Sequence, residues 1–193
     1  YFLDFESFRF KSELTKVYNV EAHWALYADN YLEGFHVPFV HNDLGSLLDY
    51  GSYDTIAYDK MVLQIGYSSG DDFRFDFPEG HPDYGRNVTA YYIWVYPNFM
   101  LNVYPYGVQL NIIRPISPNF CKVEFLYYFK DEDVFARMNG AQLAEKTQRE
   151  DEFVVEAVQR GLSSRFYHTG RFSPKRENGV HAFHGMVAEA MGE

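Results

Sequence analysis

Three shortages bound what this chain can be. It has one cysteine, Cys121, in 193 residues, so it closes no internal disulfide and holds no cluster or zinc site built from several thiolates. Basic residues are scarce as well: 17 Lys plus Arg face 27 Asp plus Glu, a net charge of -10. No dense basic stretch is present to neutralise phosphates, which argues against nucleic acid as a partner. No apolar run is long enough to cross a bilayer, and the opening YFLDFESFRF carries charges where a signal peptide needs an apolar stretch. The expectation is a cytoplasmic chain with no membrane partner. Its first residue is Tyr1 rather than methionine, which points to a piece of a longer protein.

What is abundant is apolar surface. With 47% hydrophobic and 19% aromatic residues, residues 1–193 suffice for one compact domain. In EAHWALYADNYLEGF (21–35), Trp24, Ala28, Tyr31 and Phe35 recur at helical spacing, predicting an amphipathic helix that ends near His36 because Pro38 follows. Residues 42–86 are rich in Gly, Ser, Asp and Pro, with one strand at KMVLQIGYS and an otherwise turn-rich, mobile insert. VTAYYIWVYP, NFMLNVYP, VQLNIIRP and CKVEFLYYFK then read as an antiparallel meander, with Val123, Phe125, Tyr127 and Phe129 on one face. GAQLAEKTQREDEFVVEAVQRGLSS reads as a long helix, followed by an irregular tail carrying His168, His181 and His184. Helix, strands and long helix predict an α+β fold, a curved antiparallel sheet packed against the C-terminal helix.

The segment NYLEGFHVPFVH (30–41) crowds an amide, a carboxylate and two imidazoles around a proline. Five residues apart, His36 and His41 would stand about 140° apart on a regular helix. A break at Pro38 lets the second imidazole swing back towards the first. Two neutral imidazoles then call for an anionic third ligand, completing the two-histidine, one-carboxylate face that leaves positions open on Fe(II). Asp151 is the candidate: it shares a stripe with Val154, Val155, Val158 and Leu162, and an ionised carboxylate in a core needs a cation or strong donors. The alternatives are an ion pair with Arg114 or Arg160, or a place at the stripe's fraying start. Glu150 and Glu152 fall on other faces and read as solvated charges. Asn30, Glu33 and His36 form a polar ridge, on which Glu33 either orients an imidazole or is a surface glutamate. His181 and His184 read as packing or surface residues. Tyr91, Trp94, Tyr96, Phe99, Tyr104 and Tyr106 read as sheet core, some of them open to an aromatic pocket that suits a planar ring or a quaternary ammonium.

These residues also resemble a known family. DNYLEGFHVPFVH is similar to the iron-binding segment of Rieske-type non-haem iron oxygenases, the ring-hydroxylating oxygenase α subunits. YPNFMLNVYP, LNIIRPISP and EDEFVVEAVQRGL resemble later landmarks of the same catalytic domain, in order, over about residues 15–190. The wording is nearest the choline and carnitine monooxygenase branch. The resemblance implies His36, His41 and Asp151 as Fe(II) ligands, Glu33 as a carboxylate bridging to a neighbouring subunit's Rieske cluster, and Asn30 as a polar residue near the iron. It further implies a helix-grip fold, a homotrimer in the full-length protein, and mono- or dioxygenation of an aromatic compound or a methylated amine using O2. Electrons would come from a [2Fe-2S] cluster and an NAD(P)H-dependent reductase or ferredoxin. A Rieske cluster needs two cysteines and two histidines, so with Cys121 alone that cluster is expected in a domain outside residues 1–193. Two other readings remain: a non-catalytic helix-grip ligand-binding module, and a zinc hydrolase using Glu33 as base.

Overall fold

The structure is a computed structural model that describes residues 5–41, 50–68, 73–137 and 139–192. Its elements run β1 (Arg9–Phe10), β2 (Lys16–Val20), α1 (Trp24–Leu32), α2 (Val37–Val40), β3 (Asp54–Ala57), β4 (Met61–Tyr67), β5 (Val88–Val95), β6 (Phe99–Tyr104), β7 (Gly107–Ser117), β8 (Phe120–Phe129), α3 (Glu132–Arg137), α4 (Gly140–Leu162) and α5 (Asn178–Met191). β3 to β8 form a meander in which each strand pairs antiparallel with the next, and β1 and β2 both pair with the free edge of β8. This is the predicted α+β, helix-grip-like architecture. The predicted meander strands appear where alternation placed them; β1, β2 and β3, too short to show a period, did not stand out.

Alternation also sets the two faces of the sheet. On β8, Cys121, Val123, Phe125, Tyr127 and Phe129 turn inward, where the main core joins them to Tyr27, Ala28 and Leu32 of α1 and to Trp94, Met100 and Ile113. The opposite face is covered differently. Phe75 and Phe77, from the stretch predicted to be mobile, stack at 5.4 Å and pack with Ile65, Tyr67 and Tyr91. Residues 73–86 therefore form a second small core, while 42–49 and 69–72 lie outside the described residues.

Three sequence expectations change here. The first helix stops at Leu32, because Glu33 turns extended (φ -119°, ψ 133°) and Gly34 follows, which leaves Phe35 half exposed. The tail beyond Asn178 is helical, not irregular: Val180, Phe183 and Met186 are buried one turn apart, and that burial overrides the weak helix propensity of its glycines. Gly179 is required by the packing, since a Cβ there would lie 2.6 Å from the carbonyl oxygen of Leu32. On α4, Val155 is buried, but Val158 and Leu162 are exposed. The inward face is instead set by Gly140, Ala144, Thr147 and Asp151, which line an internal cavity.

Candidate metal centre and cavity

Pro38 occupies the first turn of α2, where its missing N–H costs nothing and its fixed φ favours the helix. It starts a helical turn where the sequence reading made it a break. His36 sits just before this turn and His41 just after it, its N–H donating to the carbonyl of Val37. One short helix, entered from His36 in helical conformation (φ -75°, ψ -27°) and left at His41 (φ -105°, ψ 81°), thus aims both rings at one point. Their Nε2 atoms lie 3.1 Å apart, with the rings crossing at 80°.

Asp151 of α4 arrives from 110 positions away. Its Oδ1 is 3.0 Å from His41 Nε2 and 3.4 Å from His36 Nε2. Donors held about 2.1 Å from one ion and at right angles to each other are about 3.0 Å apart, so the triangle has the dimensions of a facial metal site. Arg114 pairs with Glu124 at 2.5 Å, and Asp151 engages the two histidines and Asn30.

The groups behind the triangle define its chemistry. His36 Nδ1 is 2.5 Å from Glu33 Oε1, and Glu33 Oε2 accepts the His36 backbone N–H at 3.1 Å. His41 Nδ1 is 2.8 Å from Glu150 Oε2. Each carboxylate accepts from an Nδ1–H, which leaves both Nε2 atoms turned to one point beside Asp151 Oδ1, where they can hold either a proton shared with the carboxylate or a metal ion. A carboxylate oxygen and two imidazole nitrogens converging in a nearly buried site call for positive charge, supplied by a proton on the imidazoles or by a metal ion. Asn30 Nδ2 donates to the same Oδ1 at 2.8 Å, orienting the carboxylate. The titration behaviour has the same origin. Burial opposes charge on His36, but Asp151 and Glu33 outweigh it and hold the imidazole up at about 9. His41 is also raised, burial being outweighed by Asp151 and Glu150. Burial alone would raise Asp151; the two histidines hold it below the usual carboxylate range.

All five sequence candidates, Asn30, Glu33, His36, His41 and Asp151, meet in one cluster. Glu150 was missed. Beside Asp151 on a helix and 3.9 Å from Lys146, it carries the local pattern of a surface i, i+4 pair, and nothing in that pattern shows that His41 lies across from it. Glu152 is likewise inward, buried against Gln148 and Arg149. His181 is exposed, and His184 pairs with Asp29 at 2.9 Å. Among the described residues, the only group of metal-type donors is His36, His41 and Asp151.

The triangle opens on a cavity of about 210 Å³ between α1, α4 and the inner face of the sheet. Tyr31, Tyr92, Tyr104 and Tyr106 line it, so part of the aromatic set is lining, while Trp94 and Tyr91 are core. Asn102, Gln109 and Asn111 add buried amides. The arrangement can hold a divalent ion on one side with coordination positions open to an organic molecule on the other.

The family model for the ring hydroxylating alpha subunit (catalytic domain) matches residues 8–193. The chloroplastic choline monooxygenase of Arabidopsis thaliana is 35% identical over 178 residues, which cover 88% of this chain and 40% of that protein. The carnitine monooxygenase oxygenase subunit of Escherichia coli (strain K12) is 27% identical over 179 residues, 87% of this chain and 46% of that one. A solved quaternary ammonium Rieske monooxygenase superposes with a TM-score of 0.77 at 22% identity, over 95% of this chain and 51% of that chain. The chain thus spans about 40% to 50% of the length of these relatives.

Proposed function

The chain belongs to the ring-hydroxylating α-subunit family, as its catalytic domain, and from that premise we propose that it is the mononuclear-iron half of a Rieske-type oxygenase acting on a small organic substrate. The observation that carries the reading is the triangle of His36 Nε2, His41 Nε2 and Asp151 Oδ1 at 3.0 to 3.4 Å. Two imidazoles and a carboxylate on one face fit Fe(II) and leave positions open.

When bound, the iron supplies the centre at which O2 is reduced and a substrate carbon hydroxylated. This chain's residues supply the rest. Glu33 and Glu150 fix the tautomer and aim of the two imidazoles, and Asn30 fixes the carboxylate. The tyrosine-lined cavity positions the substrate beside the triangle. The monooxygenase relatives favour a quaternary or methylated amine over an aromatic ring as substrate. The [2Fe-2S] cluster is assigned to a domain outside this chain, since Cys121 alone cannot hold it. In that arrangement Glu33 is the carboxylate that would bridge to a neighbouring subunit's cluster in a trimer, with a reductase or ferredoxin upstream. The zinc-hydrolase reading loses its base, because both Glu33 oxygens are engaged by His36.

Iron per chain after anaerobic reconstitution tests the proposal. The parent is expected to hold about one Fe(II) and Asp151→Ala almost none. A parent without iron, or a variant that keeps it, removes the oxygenase reading and leaves a ligand-binding module.

A further inference from the structure

We propose that Asn102, Gln109 and Asn111 form a subsite on the sheet wall of the cavity that binds an uncharged hydroxyl group of the substrate. The inference rests on the oxygenase reading of the cavity and names the polar group that its substrate presents.

Strand alternation puts the three amides in one patch. Asn102 of β6 pairs directly with Gln109 of β7, and Asn111, two residues further on, points to the same face. The flanking positions of that face, Met100 and Ile113, are fully buried core, so the patch is a polar island in an apolar wall. Each amide is at most 9% exposed, and all three line the cavity.

Packing alone does not account for them, because a buried amide is costly unless its donors and acceptor are paired. Two bonds are made: Gln109 Nε2 donates to Asn111 Oδ1 at 2.8 Å, and the Tyr31 hydroxyl donates to Asn102 Oδ1 at 2.7 Å. Among the described residues, the Nδ2 groups of Asn102 and Asn111 find no acceptor and Gln109 Oε1 finds no donor. The other amides of the lining have structural partners: Asn30 donates to Asp151, and Gln148 lies between Tyr27 and Glu152. The sheet wall therefore keeps two amino groups and one carbonyl oxygen open towards the cavity.

That open set selects the ligand group. A hydroxyl carries one proton and two lone pairs, so it can accept from the asparagine amino groups and donate to Gln109 Oε1. An ammonium has only protons to offer and meets two amino groups. A carboxylate has only lone pairs and meets the Gln109 oxygen. It also finds no lysine or arginine among the described residues of the lining, and residues 1–4, 42–49, 69–72, 138 and 193 contain none by sequence. Either charged group would be desolvated there without a counter-ion.

The test is a calorimetric titration with two pairs of probes, each pair differing only by a methyl in place of a hydroxyl: choline with propyltrimethylammonium, and phenol with toluene. A site built to bond a hydroxyl rejects the analogue lacking it, because its own polar groups are left unpaired. In whichever pair binds, the hydroxyl member is expected to bind roughly tenfold to 100-fold more tightly. Asn111→Leu should bring the two members of that pair within about threefold of each other. Asn102→Leu should do the same and serves if Asn111→Leu fails to fold by circular dichroism. Equal or tighter binding of the methyl member, a preference that survives both substitutions, or no binding of any probe overturns the inference. The titrations are run on the anaerobic Fe(II)-loaded chain and on the metal-free chain, because the amides make no bond to the triangle and the preference should appear in both. A preference seen only with iron belongs to the metal and overturns the subsite. Failure to load iron counts against the oxygenase reading alone.

Discussion

Replacing Glu150 with alanine should weaken metal binding although Glu150 is not placed as a ligand. Its Oε2 sits 2.8 Å from His41 Nδ1, and His41 is only 2% exposed, so this carboxylate holds the outer nitrogen of a ring otherwise closed in by protein. Without the carboxylate the ring loses the partner that fixes its tautomer and orientation and raises its basicity. Partners of this kind contribute about 10-fold to 100-fold in metal affinity, or about 1.4 to 2.7 kcal/mol. Glu150→Gln keeps an acceptor but loses the charge, and should fall between alanine and the parent. An anaerobic competition titration of Fe(II) against a chromophoric chelator measures the constants. Glu189→Ala, which removes a surface partner of Lys60, serves as control and should match the parent. If Glu150→Ala folds normally by circular dichroism and binds Fe(II) within about twofold of the parent, the geometry behind His41 does not tune the metal.

The same site and the core beneath it fix two further outcomes. His36 is raised to about 9 from 6.5, so in the metal-free protein its stabilising contribution is complete below about 6.5 and is lost as pH climbs through about 9; Fe(II) must displace that proton, so apparent metal affinity should rise across the same window, with proton release measurable by calorimetry in buffers of different ionisation enthalpy. An affinity flat from pH 6.5 to 9 contradicts this. Phe183, fully buried and edge-on to Trp94 at 5.0 Å and Trp24 at 5.7 Å, should cost about 3 to 5 kcal/mol in urea unfolding when changed to alanine, against less than about 0.5 for Phe153→Ala on the exposed side of α4; similar losses at both sites refute the packing of α5.

Several features were legible because they are local. The period of two in CKVEFLYYFK placed Val123, Phe125, Tyr127 and Phe129 on one face before any partner was known. The crowding of Asn30, Glu33, His36 and His41 within twelve residues marked the site, since so many polar groups beside aromatic ones need a common partner. Asp151 was found for a reason only half right. It does face inward, but Val158 and Leu162, which shared its supposed stripe, are exposed. The stripe that matters is made of small residues, Gly140, Ala144 and Thr147, which leave room for a cavity and so carry no hydrophobic signal.

The amino-acid sequence by itself determined the strands β4 to β8, the long helix and the identity of the histidines, because each depends on neighbours within a few positions. Only the tertiary structure decided that Glu150 holds His41, that Glu152 is buried, that residues 178–191 form a helix, and that Tyr31, Tyr92 and Tyr104 pack edge to face in the lining of one cavity. Those outcomes depend on how α4 lies against the curved sheet. Adjacent residues on a helix point about 100° apart, so whether Glu150 meets water or an imidazole is settled by what folds against it from more than 100 positions away.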